Sequence, residues 1–348
     1  VMSGAARGIV HPWALEFATE RPVVTEITGS VEHVELCGYD GWADVLVLAP
    51  STANTIGKVA AAVDDTPVTT AATTAIGAGV PIVVAPAMHE PMYDHPGVLE
   101  AIERLESWGI EFVEPRIEEG KAKIATESAI VLEAARAAGD RPLEGKRVIV
   151  TSGATSEPID PVRVLTNRAS GRTGRAGAKA CYVRGADVTL VHDGPDVPYA
   201  DTVAVESAAE MLEAVRSAAR EADALVSAAA IGDYTVDPAP EKIRSGSEVT
   251  LELESTPKLI DAIRDEHPGL PIVGFKVETF GGDEEMVEAA RGILDRVGLA
   301  FVVANDASVM GDETTRVLFV RADRVAAHEG DKEAIGGQIA AALADELT

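Results

Sequence analysis

The chain has 348 residues, of which 46% are hydrophobic, and this is enough to form the cores of two domains. Its formal net charge of −27 excludes a non-specific nucleic-acid binder, because such a protein needs a basic surface. No apolar run approaches the ~18 residues of a membrane span, and no secretory signal is visible. The two cysteines, Cys37 and Cys181, provide neither a disulfide framework nor metal-ligand spacing. The sequence therefore predicts a cytoplasmic protein with no nucleic-acid or membrane partner.

The charged residues are unequally divided, with 57 Asp and Glu against 30 Lys and Arg, and the acidic residues are spread along the whole chain. This balance predicts a halophilic source, and an acidic mesophilic protein is the alternative. The chain opens with Val1, Met2 and Ser3, which have the pattern of the end of a strand. We therefore expect an N-terminal piece, including the first strand of the first domain, to be missing.

In the first half, strands alternate with helices, which predicts a parallel sheet with both faces covered. Strands are expected at residues 45–49, 81–85 and 111–113, and helices at 56–63, 98–108 and 128–138. Residues 139–145 are small and polar and include Gly139, Pro142 and Gly145, so they are predicted to link two domains, 1–138 and 146–348.

After the linker the alternation restarts. Strands are expected at 147–151, 187–192, 224–227, 272–275, 300–304 and 316–320, and helices at 172–184, 208–220, 257–266, 284–296 and 332–347. Alternating residues at 242–254 predict an inserted hairpin.

Residues 146–174 begin with a strand, continue through a polar loop that contains Pro158 and Pro161, and end at the start of a helix. A helix N-terminus after a glycine-bearing loop favours binding of an anion such as phosphate. An ordinary strand–helix loop is the alternative, and the local pattern does not choose between the two. The chain has no G-x-G-x-x-G fingerprint, which disfavours ordinary dinucleotide binding.

Unusual residues follow three predicted strands of the second half, where ligands of open α/β sheets bind. The segments are SAAAIGDY after residue 226, GFKVET after 273 and ANDA after 303. Lys242 and Lys276 are expected to offset phosphate charge, and Asp233 or Asp306 is expected to help hold a divalent cation.

The motifs SGATSEPIDPVRVLTNRASGRTG, AAIGDYTVDPAPEKI, VGFKVET and VANDA occur in this order from residue 152 onwards. Together they resemble the phosphopantothenate–cysteine ligase half of the bifunctional coenzyme A biosynthesis enzymes. The resemblance covers residue 146 to the C-terminus. It implies that CTP, with Mg²⁺, converts the carboxylate of 4′-phosphopantothenate to an acyl-cytidylate, which the amine of cysteine then attacks. The sequence does not settle CTP against ATP.

The resemblance also implies roles for individual residues. Asn167 is expected beside the acyl intermediate, and Lys242 is expected to face the nucleotide phosphates, although a solvated hairpin lysine is its alternative. Asp233 is expected to contact the nucleotide and is the candidate metal ligand. Further nucleotide contacts are implied at Gly153, Ser170, Gly171, Gly174, Ala230, Phe275, Lys276, Asn305 and Asp306, and a further substrate contact is implied at Arg168.

The first half carries HVEL, APSTANTI and PAMHEPMY, which resemble the flavoprotein family of phosphopantothenoylcysteine decarboxylases. The resemblance implies FMN-dependent loss of CO₂, with His33 in the active site; a hydrogen-bonded histidine at a helix start is the alternative. FMN contacts are implied at Ser3, Pro50, Thr52, Ala53, Asn54 and Met88, and substrate contacts at His89 and Met92.

Three features depart from this family. The family's opening strand and its small-residue, phosphate-holding turn are expected to be missing, because the sequence begins after them. His89 stands where an asparagine is common, and Tyr93 where a tryptophan is common. The region that corresponds to the family's substrate clamp, residues 118–123, contains no cysteine, and Cys37 lies elsewhere. The acid that completes decarboxylation is therefore left open.

The resemblance as a whole implies an α/β protein of two domains: a flavodoxin-like or Rossmann-like three-layer αβα flavoprotein domain, then a second Rossmann-like ligase domain. It would make 4′-phosphopantetheine from small-molecule substrates. It also implies a homo-oligomer, with a dimeric ligase half, a trimeric flavoprotein half and an assembly as large as a dodecamer. Two alternatives remain: an active ligase joined to a non-catalytic FMN-binding or assembly module, and a flavin prenyltransferase in the first half.

Overall fold

The computed structural model describes residues 1–246, 248–278, 282–306 and 314–348, and the side chain of Asp306 lies outside the described part. The chain divides into two compact units, Val1–Gly139 and Asp140–Thr348. Of the helices that the structure describes, none is long and apolar enough to cross a membrane.

The first unit contains short strands and eight described helices. Its helices are α1 (Gly4–Arg7), α2 (Pro12–Thr19), α3 (Glu32–Cys37), α4 (Ala53–Ala60), α5 (Pro67–Ala78), α6 (Glu90–Tyr93), α7 (Pro96–Glu106) and α8 (Glu127–Ala138). Its strands are β1 (Leu46–Ser51), β2 (Ile82–Pro86), β3 (Met88–His89), β4 (Glu111–Phe112), β5 (Arg116–Glu118) and β6 (Lys121–Lys123).

Strands β1, β2 and β4 form a parallel sheet with β2 at its centre. Every residue of β2 is buried, because side chains that alternate along a strand pack on both faces of the sheet. Ile82 and Val84 pack in the core formed by α4, α5 and α7, whereas Val83 and Ala85 pack with α8. The unit is therefore the three-layer αβα domain that the resemblance implies.

The second unit is built on a larger sheet. Its helices are α9 (Arg172–Val183), α10 (Ala208–Ala219), α11 (Leu259–Glu266), α12 (Asp283–Val297) and α13 (Lys332–Leu347). Its strands are β7 (Arg147–Ser152), β8 (Ser156–Asp160), β9 (Arg163–Thr166), β10 (Asp187–His192), β11 (Asp201–Ala204), β12 (Ala224–Ser227), β13 (Tyr234–Thr235), β14 (Glu254–Ser255), β15 (Ile272–Glu278), β16 (Phe301–Asp306), β17 (Thr314–Val320) and β18 (Val325–Asp331).

The eight-stranded sheet has the order β11-β10-β7-β12-β15-β16-β17-β18. The first six strands are parallel and have the Rossmann order, and β17 and β18 are antiparallel to their neighbours. One face packs on α9 and α13, and the other packs on α10, α11 and α12. After β7 the chain continues to β10 on one side of the sheet, whereas after β12 it continues to β15 on the other side. The carboxyl ends of β7 and β12 therefore form the switch point at which such sheets bind ligands.

Two predictions of local structure were wrong. No strand occurs in the described residues between 242 and 253; Glu254 and Ser255 pair instead with Thr235 and Tyr234. The polar loop after β7 is not irregular throughout, because β8 and β9 form an antiparallel hairpin inside it. Its register shifts between Pro158 and Asp160, where a proline cannot donate a hydrogen bond.

Candidate active sites

Three glycines lie together where β7 meets the start of α9. Gly153 and Gly171 have positive φ angles of 96° and 68°. A Cβ atom on Gly171 would lie 2.6 Å from the backbone nitrogen of Gly153, and one on Gly174 would lie 2.7 Å from the Cβ atom of Ser152. The Ser152 hydroxyl donates a hydrogen bond of 2.7 Å to the carbonyl of Gly171. These contacts explain why the loop needs glycine, and they hold the N-terminus of α9 against β7.

The N-terminus of α9 is open to a ligand. Gly171 is its N-cap residue, and the described residues provide no side-chain cap hydrogen bond there. The free N–H groups and the helix dipole favour an anion at this position. Ser170 precedes the cap, and its carbonyl accepts a hydrogen bond of 2.9 Å from Arg175.

Asn167 joins two segments at the switch point. It follows β9, and its Nδ2 atom donates a hydrogen bond of 3.1 Å to the carbonyl of Ala230, in the loop after β12. The backbone nitrogen of Ala230 in turn donates to the carbonyl of Gly153 at 2.9 Å. Three predicted site residues from three separate segments are therefore in contact. The Oδ1 atom of Asn167 has no donor among the described residues and is available to a ligand.

Asp233 lies in a cleft beside the same loop. The cleft has a volume of about 170 Å³, and its lining includes Asp233, Gly232, Thr256, Lys258 and Phe275. The structure thus brings together Asp233 and Phe275, as the sequence predicts. Lys258, which sequence reasoning missed, donates to the Asp233 carboxylate, and both side chains are more than half exposed. The sequence gives only weak grounds for predicting Lys258 as a site residue, since a lone lysine before a helix is common on protein surfaces.

Several other predicted contacts are not among the described residues that line this cleft. Lys276 forms an ion pair of 3.1 Å with Glu278 and does not line the cleft. Arg168 and Lys242 are exposed, and neither has a hydrogen bond or ion pair within the described ranges. Asn305 is partly buried in β16, and the side chain of Asp306 lies outside the described residues.

A buried carboxylate, also missed by sequence reasoning, connects the hairpin to the loop around Asp233. Glu157 in β8 is 4% exposed. Its Oε1 atom accepts from the backbone nitrogen of Ala208 at 2.8 Å, and its Oε2 atom accepts from the Thr235 hydroxyl at 2.9 Å. It thereby fixes both the start of α10 and strand β13.

The first unit has a cavity of its own, with a volume of about 460 Å³. This volume lies within the usual ~300–1,000 Å³ of small-molecule sites. The residues that line it are Thr52, Ala87, Met88, His89, Met92, Lys121 and Lys123. Four of them, Thr52, Met88, His89 and Met92, are predicted flavin or substrate contacts.

The two lysines reach this cavity through strand pairing. Strand β3 pairs with β6, so that Met88 lies opposite Ala122 and His89 opposite Lys121. The hairpin β5–β6 contains the region that corresponds to the family's clamp. Lys123 forms ion pairs of 3.0 Å with Glu118 and Glu119. The ammonium group of Lys121 has no such partner in the described part of the chain.

The buried polar atoms of this unit that have no hydrogen-bond partner among the described residues include Nδ1 of His33 and Oγ of Ser51. Ser51 directly precedes Thr52, the N-cap residue of α4, which accepts no side-chain cap hydrogen bond. His33 lies in the first turn of α3 and does not line the cavity as described.

The remaining predicted flavin contacts flank these residues or lie elsewhere. Pro50 is in β1, and Ala53 and Asn54 form the first turn of α4 beside Thr52. Ser3 does not line the cavity; its hydroxyl accepts a hydrogen bond of 3.2 Å from the backbone nitrogen of Ala6 and caps α1.

Both units match known families. A family described as flavoprotein matches residues 1–138, and one described as the DNA/pantothenate metabolism flavoprotein C-terminal domain matches residues 143–347. The coenzyme A biosynthesis bifunctional protein CoaBC of Thermococcus kodakarensis is 50% identical over 329 residues, which are 93% of this chain and 81% of that protein. The CoaBC protein of Bacillus subtilis is 34% identical over 334 residues, which are 89% of this chain and 79% of that protein.

A solved structure agrees with these relatives. The crystal structure of the C-terminal domain of a CoaBC protein is 30% identical and covers 60% of this chain and 98% of its own, with a TM-score of 0.51. The family that the sequence motifs predict is thus confirmed along almost the whole chain. This chain belongs to the family of CoaBC bifunctional coenzyme A biosynthesis proteins, with a flavoprotein unit followed by a pantothenate-metabolism unit.

Proposed function

We propose that the second unit joins 4′-phosphopantothenate to cysteine with CTP, and that the first unit, with FMN, decarboxylates the product to 4′-phosphopantetheine. The contact of Gly153, Asn167 and Ala230 at the switch point carries this proposal most directly. A carboxylate is a poor acyl donor until its oxygen becomes a good leaving group. A site for this reaction must therefore hold a nucleotide and a carboxylate side by side.

In the ligase site, the phosphates lie at the open N-terminus of α9, where backbone N–H groups offset their charge. Asn167 lies next to the carboxylate that becomes activated, and its free Oδ1 atom accepts a hydrogen bond from the attacking amine. Lys242 and Lys258 supply positive charge, which stabilises the pyrophosphate as it leaves. Phe275 forms the apolar wall for the base.

The site fits a magnesium ion only in part. No group of three His, Cys, Asp or Glu side chains able to hold a metal occurs among the described residues. Of the described residues that line the cleft around Asp233, only Asp233 itself carries a carboxylate. Mg²⁺ retains several water ligands and binds readily to phosphates with one or two carboxylates. We infer that Asp233 holds Mg²⁺ together with the nucleotide rather than before it.

The first unit fits FMN. The buried hydroxyl of Ser51 lacks a partner, and the uncapped start of α4 at Thr52 favours a phosphate. We place the flavin against this turn, with Met88 on its apolar surface and with His89 and Lys121 beside the substrate's carboxylate. A bound FMN would supply the two-electron oxidation and reduction that loss of CO₂ requires. His33, whose imidazole can accept a proton, completes the proposed site.

The ligase assignment is tested by supplying 4′-phosphopantothenate and cysteine with each nucleoside triphosphate in turn. We expect 4′-phosphopantothenoylcysteine and pyrophosphate with CTP, and little product with ATP, GTP or UTP. A reaction without cysteine is the control and should yield no coupled product. Failure to form product with any nucleotide would rule out the ligase, and equal rates with ATP would rule out the preference for CTP.

The decarboxylase assignment is tested by the change His33→Asn. We expect the flavin absorbance to co-purify as in the parent protein while CO₂ release from supplied 4′-phosphopantothenoylcysteine is abolished, because asparagine cannot accept the proton. The matched control is His95→Asn, since His95 caps α7 and asparagine is a good N-cap residue. Unchanged CO₂ release by the His33 variant would remove this residue from the reaction.

A second candidate keeps the ligase but makes the first unit a non-catalytic FMN-binding or assembly module. Residues 116–123 contain no cysteine, so the donor of the final proton in decarboxylation is unassigned. This favours the second candidate. A homo-oligomer stays a prediction of the family resemblance, and a cytoplasmic location stays a prediction of the sequence composition. Steady release of CO₂ with formation of 4′-phosphopantetheine would dismiss the second candidate.

A further inference from the structure

The segment that carries Lys242 is attached to the hairpin β8–β9 at two points. The backbone nitrogen of Ala239 donates to the carbonyl of Ile159 at 2.9 Å. Ile243 is held at both of its backbone groups: its nitrogen donates to Oδ2 of Asp160 at 3.1 Å, and its carbonyl accepts from Arg163 at 3.1 Å. Residues 240–242 therefore form a short loop that is fixed at both ends.

An apolar contact reinforces this attachment. The side chains of Ile159 and Ile243 line one groove, together with Val236, Val249 and Leu251. Ile243 is partly buried at this groove, whereas the adjacent Lys242 is exposed and has no ion-pair partner in the ranges that the structure describes. The hairpin thus fixes the backbone beside Lys242 and leaves its ammonium group free for a ligand.

Asp160 makes this attachment with a buried carboxylate that is 3% exposed. Burial raises the pKa of this carboxyl, but hydrogen bonds from Val162, Ile243 and Arg163 outweigh burial and hold the pKa below its usual value. The two oxygens have different partners. Oδ1 accepts from the backbone nitrogens of Val162 at 2.8 Å and Arg163 at 2.9 Å, whereas Oδ2 accepts from Ile243 and pairs with the Arg163 guanidinium.

We propose that Asp160 is a positioning residue for nucleotide activation, because its Oδ2 atom holds Ile243 and thereby fixes Lys242 where the phosphates bind. The inference rests on the proposed role of Lys242 in the ligase reaction. A lysine on a free loop would have to be ordered during catalysis, and even small errors in position reduce rates steeply. The Oδ1 atom of Asp160 closes the hairpin turn, and its Oδ2 atom holds the segment that carries Lys242. The two oxygens therefore have separate roles.

The change Asp160→Asn separates these two roles. Asparagine keeps Oδ1 and therefore the turn, but its NH₂ group replaces Oδ2 and faces two donors, the nitrogen of Ile243 and the guanidinium of Arg163. The attachment of Ile243 is lost, while the size of the side chain hardly changes. The matched control is Asp237→Asn, because Asp237 is exposed nearby and has no hydrogen bond within the described ranges.

Ligase kinetics with CTP test the role in positioning. We expect Asp160→Asn to reduce kcat/KM for the nucleotide by about tenfold to a hundredfold, and Asp237→Asn to leave it unchanged. In a Lys242→Ala background the same Asp160 change should have an effect of less than about twofold, because the two residues act through one interaction. If Asp160→Asn reduced kcat/KM equally in the parent protein and in the Lys242→Ala variant, the proposal would be overturned. Such a result would mean that the Asp160 change acts independently of Lys242, as a general structural defect would.

Hydrogen exchange tests the attachment independently of activity. We expect the amide of Ile243 to exchange at least about tenfold faster in Asp160→Asn than in the parent protein, with the amide of Ala230 unchanged. Unchanged protection at Ile243 would overturn the proposal. If the parent protein shows no nucleotide-dependent ligation, the proposed function fails, whereas this measurement still decides whether Asp160 holds the segment.

A second variant covers the case in which Asp160→Asn does not fold. Arg163→Gln removes the guanidinium that donates to the carbonyl of Ile243 and leaves both oxygens of Asp160 in place. We expect the same faster exchange at Ile243 and the same dependence on Lys242. An effect of Arg163→Gln that is equal with and without Lys242 would overturn the proposal.

Discussion

The amide of Asn167 illustrates how one side chain can serve both structure and chemistry. Its nitrogen donates to the carbonyl of Ala230, which fixes the end of the hairpin to the loop after β12. The same group keeps an oxygen acceptor free. An amide donates and accepts at once, whereas a carboxylate only accepts. An aspartate at position 167 would therefore lose the link to Ala230 even though its shape is nearly the same.

The change Asn167→Ala is expected to stall the ligase after nucleotide activation. Pyrophosphate release should continue for about one turnover, while formation of coupled product falls by about 100-fold or more, because the attacking amine loses its acceptor. Rapid-quench measurement of both products checks this. The control is decarboxylation of supplied 4′-phosphopantothenoylcysteine by the same variant, which should be unaffected. Normal coupled product would contradict the role given to Asn167.

A second prediction concerns His192, which is buried at the carboxyl end of β10. Burial, and then the positive charge of Arg175, lower the pKa of this imidazole. The unfolded chain takes up a proton near pH 6.5 but the folded chain resists it. The associated stability is therefore complete above about pH 6.5 and is lost as the pH falls through the lowered pKa.

The change His192→Gln should remove this part of the pH dependence. Urea unfolding at pH 7.5 and pH 5.5 is expected to show a smaller difference between the two pH values in the variant than in the parent. The exposed His95 supplies the control, since His95→Gln replaces a histidine that lies outside the second unit. An unchanged difference in the His192 variant would argue against a neutral, buried imidazole.

At the scale of elements, the central strands were predictable and their connections were not. The strands β7, β10 and β12 are runs of apolar residues buried on both faces, which the sequence displays directly, and their observed bounds lie within a residue of those predicted. Hairpin β8–β9 was missed because Pro158 and Pro161 disfavour strands, although a short edge hairpin tolerates them.

The hairpin predicted at 242–254 failed for a different reason. Its alternation is real, but Val249 and Leu251 contribute to the groove that holds Ile159 and Ile243, and they form no ladder. Alternation of apolar and polar residues indicates which side chains share a face of the segment, but not which element packs against that face. Lys258 could not be predicted for a related reason: it reaches its site only through tertiary packing.

The packing of α13 on α9 leads to a third prediction. A Cβ atom on Gly336 would lie 2.5 Å from the carbonyl carbon of Ala176, so the two backbones are in direct contact. Gly336→Ala should therefore destabilise the second unit by about 1–3 kcal/mol. Gly337 is the matched control, because its added Cβ would meet no described atom within 4 Å apart from the local backbone of its own helix. Gly337→Ala should be neutral or stabilise by up to about 1 kcal/mol.

Urea unfolding followed by the signal of the second unit compares the two variants. Equal stabilities for Gly336→Ala and Gly337→Ala would show that α9 and α13 separate easily enough to accept a methyl group. In that case the close contact would not restrain α9.

At the scale of the whole molecule, the net charge of −27 is the dominant feature. Self-repulsion of this size destabilises compact states, and salt screens it within a Debye length of about 10 Å at 0.1 M. We therefore expect molar KCl to raise the unfolding temperatures of both units by at least about 5 °C relative to 0.1 M KCl. Calorimetry checks this, with molar sucrose as an uncharged control. Equal stability at low and molar salt would contradict a halophilic source.

The contact between α9 and α13 also bears on how the chain is made. The loop at Gly153 and Gly171 comes early in the second unit, whereas the helix that supports α9 from behind, α13 (Lys332–Leu347), follows all the other described helices of that unit. During synthesis this loop therefore emerges well before the helix that completes its backing. A ribosome that stalls before residue 332 would release a product in which this loop lacks the support of α13.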